Sequence, residues 1–416
     1  MNFNLDSIER EYSNCYCGKR HVLNIKDVVI ESGITCKTGE ILKRNGFKSK
    51  LLFVADTNTL GASEGILDSL KDFSLTKKIY VDLREATISE SNVIMKLLKD
   101  NDGVIAVGTG SIHDICRFAS AKLDKPLCLF ATAPSMDGFA SYCAPLIDGN
   151  FKITYPAKSP EVIIADTKIL AKSPKHLKSA GFGDMVGKYV GLIDWKVSSL
   201  ITGEYFCQRV WDLTKTATDY IMSLADRITL DDQESASSVF KGLLLTGIGM
   251  SFVKNSRPAS GAEHILSHFW ECKKLLEGKL SDFHGKKVGV ATLLIMREYS
   301  ELAKKTTVKA KKEVVDWEEV YSNYGDLKDE VIALNTPDTI TDGVSLNKIE
   351  ENWSEIREII LSMPSYEQIK DAMIKAGCAL TTEEIGVSEE LKEQGLKYHP
   401  FMRRRMSLRR LSNMIE

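Results

Sequence analysis

The chain has 416 residues, 43% of them hydrophobic and 27% charged, with a formal net charge of −2. That length allows two domains with cores of their own, and the near-neutral balance gives none of the basic surface that a nucleic-acid partner needs. Nine cysteines, odd in number and scattered, fit a reducing compartment better than a disulfide framework. The N-terminus is acidic and polar, unlike a secretory signal. No uncharged apolar run approaches the roughly 18 residues of a membrane span, so a cytoplasmic protein is expected.

The first feature along the chain is Cys15-Tyr-Cys-Gly-Lys19, followed by His21. Thiols and imidazole are metal-ligand types, but with no second cysteine pair nearby the run falls short of a structural-metal signature. From about residue 22 to 167, short apolar runs alternate with amphipathic stretches. Strands are predicted at 51–55, 78–83, 104–107, 127–132 and 162–165, with helices near 63–70, 89–98 and 112–122. Such alternation implies right-handed βαβ units and a parallel sheet covered on both faces. Asp148-Gly149, between apolar runs, reads as a hairpin turn.

Three predicted strands end in groups that carry chemistry. Val104-Ile-Ala-Val-Gly-Thr-Gly-Ser-Ile-His-Asp114 runs an apolar strand into a glycine-bearing turn and a helix start. There the backbone can approach a pyrophosphate, and the helix N-terminus offers amides and a positive dipole end. The third glycine of the full dinucleotide fingerprint is absent. The strand at 127–132 opens into Thr132, Ser135, Asp137 and Ser141, either a ligand edge or a polar turn built on Asp137-Gly138. Asp56 closes another strand, where a carboxylate can bind an adenosine ribose or cap the next helix.

After residue 166 the strand signal fades. Ser173-Pro174 looks like a helix start, and long periodic stretches at 186–200, 239–252, 288–303 and 366–376 predict an all-helical second half. Residues 304–317 read as a solvated helix or loop, and the basic run Arg403-Arg-Arg405 with Arg409-Arg410 as a solvated last helix. Of seven histidines, three fall between residues 264 and 284. His264 and His268 stand four apart, on one face of a helix, behind Arg257, Ser260 and Glu263. Asp184 lies in an apolar, glycine-bearing run, where an unpaired carboxylate would be costly. One aspartate and two histidines with a position left open are the composition of a catalytic divalent site. A zinc protease does not fit His-x-x-x-His here, because residue 265 is Ile where that chemistry needs Glu.

Gly108-Thr-Gly-Ser-Ile-His-Asp114, Thr132-Ala-Pro-Ser-Met-Asp-Gly138, Ala180-Gly-Phe-Gly-Asp-Met-Val-Gly-Lys188, Asp194-Trp195 and Ser256-Arg-Pro-Ala-Ser-Gly-Ala-Glu-His264 with Ser267-His268 occur in this order. Together they resemble the sn-glycerol-1-phosphate dehydrogenase family, bacterial branch, within the iron-type alcohol dehydrogenase, glycerol dehydrogenase and dehydroquinate synthase superfamily. The resemblance runs from about residue 20 to 300. It implies an α/β, Rossmann-like dinucleotide-binding domain (1–167) with a parallel sheet, then an all-α metal- and substrate-binding domain (168–416), with the active site in the cleft between them. Asp184, His264 and His284 match the metal ligands, for nickel or zinc. Asp137 and His268 match catalytic and substrate-contacting positions, and Asp184 also falls among the substrate contacts. Asp56, Gly110, Ser111, Ile112, His113, Asp114, Thr132, Ala133, Pro134, Ser135 and Ser141 match the site for NAD(H), with NADP(H) as the second candidate.

Lys188 and Arg257 are the cations expected to hold a substrate phosphate. The expected reaction is reversible reduction of dihydroxyacetone phosphate to sn-glycerol 1-phosphate by a homodimer. A polyol dehydrogenase, a dehydroquinate synthase-like enzyme and a degenerate fold acting as a binding module are the alternatives.

Overall fold

The computed structural model describes residues 3–416. Contacts divide it into two compact units: residues 1–181 with 226–255, and residues 182–225 with 256–416. The long helix Lys175–Thr202 belongs to the first as far as Gly181 and to the second from Phe182. The first unit thus also takes in the segment up to Gly181 and the helix Gln233–Val253.

The first unit is built on six parallel strands: β1 (Asp27–Glu31), β2 (Lys50–Asp56), β3 (Ser74–Tyr80), β4 (Gly103–Gly108), β5 (Leu127–Ala131) and, after a hairpin of β6 (Cys143–Asp148) and β7 (Phe151–Pro156), β8 (Val162–Asp166). Their order is β1-β8-β5-β4-β2-β3. Successive residues of the central strands enter opposite cores. Leu51, Phe53, Ile105, Val107 and Phe130 lie in one; Leu52, Val54, Val104, Ala106 and Leu129 lie in the other. Both faces are covered, so these strands read as continuous apolar runs, each large side chain contributing about 1.5–3 kcal/mol on burial.

The edges are where expectation and structure part. β3 begins at Ser74, paired with Lys50, rather than at 78; as an edge strand it is half exposed, so Ser-Leu-Thr-Lys-Lys carries no apolar run. β1, the opposite edge, has only three apolar residues and was not predicted. The helix expected at 63–70 is only the short Ile66–Ser69, led in by Gly65 at φ 85°, and a separate short helix, Thr57–Ala62, precedes it. The hairpin turns at Gly149 and Asn150, between the paired Asp148 and Phe151.

Chain order moves from β2 out to β3, then back across β2 to β4, so the direction reverses between β2 and β4. In open parallel sheets a ligand crevice forms outside the carboxyl ends at such a reversal. Those ends carry Asp56 and Gly108-Thr-Gly110.

The second unit is helical. Its main helices are the C-terminal part of Lys175–Thr202, then Gln208–Met222, Ala262–Leu276 and His284–Leu302, followed by shorter helices to residue 414. Residues 304–317 are mostly an irregular strip joined to the chain end: Lys311 N–H donates to Met414 O and Glu416 N–H to Lys309 O. The solvated basic tail is overturned as well. Arg410 is fully buried, 2.8 Å from Glu313 and over the Phe401 ring. Among the described residues one helix, Gln233–Val253, is long and apolar enough to cross a membrane; 94% of its apolar window is buried in the protein.

Candidate active site

In the second unit three side chains converge. Asp184 stands on the helix Lys175–Thr202, His264 in the first turn of Ala262–Leu276, and His284 is the first residue of His284–Leu302. One ligand atom from each lies within 4.8 Å of the other two. His264 Nε2 is 3.5 Å from Asp184 Oδ1, and the rings of His264 and His284 are centred 5.1 Å apart.

Glycine permits the approach. Gly183, Gly187 and Gly191 are four apart and form one line along their helix. A Cβ at Gly183 would meet Gly285 O at 2.5 Å, and one at Gly191 would meet Ser260 N at 3.0 Å. The notch therefore admits the start of the His284 helix and the loop that delivers His264, beside Asp184.

The electrostatics are anionic and organised. Burial alone would raise the Asp184 carboxyl; Lys188, 2.7 Å away, with His264 and His284, outweighs it and holds the pKa well below the usual carboxylate range. At His264, burial and the Lys188 charge push the pKa down, but Asp184 and Glu263 push it up and prevail. His264 Nδ1 lies 2.6 Å from Glu263 Oε1, which also accepts Gly261 N–H at 3.0 Å. With Nδ1 turned to a carboxylate, Nε2 faces Asp184, the arrangement that backs metal-binding histidines. Two imidazoles and a carboxylate, with an anion buried among them, fit a divalent cation with a coordination position to spare.

His268, one turn on, lies outside this trio. Its Nδ1 is 3.3 Å from Glu271 Oε2, and its ring is centred 5.6 Å from that of His284. Glu271 is shared with Lys287 at 3.2 Å. Glu263 and Glu271 are residues whose work the sequence reading missed, although each sits one or three positions from a histidine.

Both cations expected to hold a substrate phosphate have partners within the protein. Lys188 is fully buried with its ammonium on Asp184. Arg257 is 3% exposed, its Nε and Nη2 on the two oxygens of Glu204 at 2.8 and 2.5 Å, Nη2 also on Ser198 Oγ, and Nη1 on Met406 O at 2.8 Å. It ties the loop to the chain end. Arg405 returns the tie, donating to Ser260 O and Ser256 Oγ, both at 2.8 Å. Asp194 completes the lattice: Oδ2 accepts Ala262 N–H at 2.7 Å, while Oδ1 accepts Tyr299 O–H and Leu408 N–H at 2.7 and 2.8 Å. The helix that carries His264, which has no cap of its own at Gly261, is thus capped from another helix.

In the first unit the dinucleotide candidates divide into two kinds. At the start of Gly110–Leu123 no side chain caps the first turn, so the amides of Gly110, Ser111 and Ile112 form an anion-binding end. Thr132 N–H donates to Gly108 O at 3.0 Å, joining this turn to the Thr132, Ala133, Pro134, Ser135 loop. Ser111 Oγ donates to Arg84 O at 2.9 Å. Asp137, half-buried, leads the short 3₁₀ turn Gly138–Ala140. Asp56 donates its cap to Thr57–Ala62: Oδ1 accepts Thr59 N–H at 2.8 Å, and Thr59 Oγ1 accepts Asp56 N–H.

The side chains of His113, Asp114 and Ser141 are engaged within the protein. His113 is fully enclosed, edge-on to Phe139, and burial pushes it down to about 3. Burial raises Asp114 to about 6 despite Arg117 at 2.5 Å. Arg117 also donates to Gly138 O at 2.5 Å, pinning the Asp137 loop to the cradle helix. Ser141 Oγ accepts Cys143 N–H at 3.2 Å within its own turn.

Residues 29–174 match the family model for iron-containing alcohol dehydrogenases. The chain is 32% identical over 406 residues to the glycerol-1-phosphate dehydrogenase [NAD(P)+] of Geobacillus stearothermophilus, covering 95% of this chain and 94% of that protein. It is 32% identical to its counterpart in Geobacillus thermodenitrificans, with the same coverage. Among solved structures it shares the fold of the NADH-dependent butanol dehydrogenase A of Thermotoga maritima, with a TM-score of 0.63, 16% identity, and 97% and 96% of the two chains covered.

Proposed function

Because the chain belongs to the glycerol-1-phosphate dehydrogenase family of oxidoreductases, we propose that it reduces dihydroxyacetone phosphate to sn-glycerol 1-phosphate with NADH and a divalent metal. The observation that carries this reading is the convergence of Asp184, His264 and His284 with Glu263 behind them. When bound, the metal supplies Lewis-acid polarisation of a carbonyl and the nicotinamide supplies hydride.

The protein's own groups do the rest. Asp184, His264 and His284 hold the cation, nickel or zinc. His268 orients the substrate and delivers a proton to its oxygen, with Glu271 fixing the imidazole. Asp137 holds a substrate hydroxyl. The amides of Gly110, Ser111 and Ile112 bind the pyrophosphate, with the Thr132, Ala133, Pro134, Ser135 loop alongside, and Asp56 takes the adenosine ribose and disfavours a 2′-phosphate. Residues 1–167 carry the dinucleotide and 168–416 the metal and substrate. A cytoplasmic homodimer goes with this assignment.

The deciding assay reconstitutes the protein separately with nickel and zinc, adds NADH and dihydroxyacetone phosphate, follows the nicotinamide absorbance and determines the product's chirality. The expected result is stoichiometric NADH loss and the sn-1 product. Oxidation of unphosphorylated glycerol instead would make it a polyol dehydrogenase. Product without net nicotinamide turnover would place it with dehydroquinate synthase, and failure to bind metal would leave a binding module. Sedimentation gives the subunit number.

A further inference from the structure

We infer that the N-terminal loop at residues 15–21 is a second metal site, holding a zinc-class cation through the sulfurs of Cys15 and Cys17 and Nε2 of His21. It is independent of the reaction proposed above. The ligand set is soft, two thiolates and one imidazole, and differs in kind from the carboxylate and two imidazoles of the active site.

The geometry is that of ligands gathered for one ion. The two sulfurs and a His21 ring nitrogen lie within 4.8 Å of one another, and Cys17 Sγ is 3.3 Å from His21 Nε2. Zinc bonds of about 2.3 Å to sulfur and about 2.0 Å to nitrogen, at a tetrahedral angle, place those two atoms about 3.5 Å apart. The turn that brings the sulfurs together is fixed locally. Gly18 N–H donates to Cys15 O at 3.2 Å, with Gly18 at φ 81°; nothing lies within 4 Å of the position its Cβ would take. Glycine is needed there for its backbone conformation and not for space.

His21 is set as a ligand before any ion arrives. It is fully buried, and its Nδ1 is 3.1 Å from the Phe252 carbonyl. A carbonyl only accepts, so the proton sits on Nδ1 and the Nε2 lone pair points at the sulfurs, the second-sphere arrangement of metal-binding histidines. The ring lies against an aromatic pair, 5.2 Å from Phe252 and 6.4 Å from Tyr12, which themselves stack at 5.1 Å. A simple thiol hydrogen bond to Nε2 accounts for Cys17 alone; it gives no reason for a second sulfur, on a residue 8% exposed, to face the same point. The fourth position of a tetrahedral ion is filled from outside this loop. Bound zinc would fasten residues 3–26 to the end of the helix Gln233–Val253, where His21 already meets the Phe252 carbonyl.

The test is metal analysis and spectroscopy on the full chain. After zinc loading and dialysis, wild type should retain one ion more than the double variant Cys15→Ser, Cys17→Ser, which keeps its turnover, while His264→Ala keeps the loop ion and loses the other. Cobalt-substituted wild type gives a second readout that needs no variant to fold. It should show thiolate-to-cobalt charge transfer in the near ultraviolet, which an oxygen–nitrogen site cannot produce. Zinc should also shield Cys15 and Cys17 from a thiol reagent, read by peptide mass. A single ion per wild-type chain, absence of the charge-transfer band, its persistence in the double serine variant, or equal labelling of both thiols with and without zinc would each overturn the site.

Discussion

The sheet unit and the helical unit build their functional surfaces from different material. At the carboxyl ends of β2, β4 and β5 the groups presented are mainly backbone: the uncapped amides from Gly110 to Ile112 and the turn that joins Thr132 to Gly108. The conspicuous side chains beside them, His113, Asp114 and Ser141, are buried or used within their own turn. In the helical unit the relation is reversed. Asp184, His264 and His284 present side-chain atoms, and the first two depend on Lys188 and Glu263 for their state. A surface made of backbone tolerates side-chain changes that a surface made of ligands does not.

Substitutions can break that contrast or sharpen it. The largest effect is expected at His264: His264→Ala should lose the active-site metal and turnover together, kcat/KM falling about a thousandfold or more, which corresponds to several kcal/mol of transition-state stabilisation. Near-normal metal content, read by elemental analysis, would remove it from the ligand set. His268→Ala should keep the metal and lower kcat/KM by about 10²–10⁴-fold, the usual worth of a positioned proton donor; metal loss would make His268 a ligand.

Glu263→Gln keeps the shape behind His264 but removes its charge, so metal affinity or activity should fall by about 10–100-fold. A chelator competition titration measures this, and an unchanged affinity would reduce Glu263 to packing. The smallest change is expected in the sheet unit. Asp56→Ala removes a helix cap and should cost about 1 kcal/mol in thermal or denaturant unfolding, while narrowing the preference for NADH over NADPH. Stability loss with the preference intact would leave Asp56 as a cap alone.

The structure sorted two kinds of cation that composition could not separate. Arg257, expected on a phosphate, and Arg405, in a run that reads as a solvated end, both join a lattice of Glu204, Ser198, Ser256, Ser260 and Met406 that holds the approach to His264. Arg410, in a run that reads as a solvated end, closes on Glu313 and Phe401. A guanidinium reports its charge in the sequence and its partner only in three dimensions, because the hydrogen-bonding partners of Arg257 named here stand from 53 to 149 positions away.

What the sequence settled by itself was whatever short range decides. Apolar runs between helical stretches gave the central strands, the turn after β4 gave the anion-binding helix start, and Asp184 with the histidine cluster marked the ligand types. Edge strands escaped because half their side chains face water and leave no run to read. Tertiary structure alone decided which polar groups gather at one point and which hold the scaffold. Asp184 and His284 are a hundred residues apart, and a line of glycines on one helix lets their backbones close to contact; no local pattern states where two distant segments will be allowed to touch.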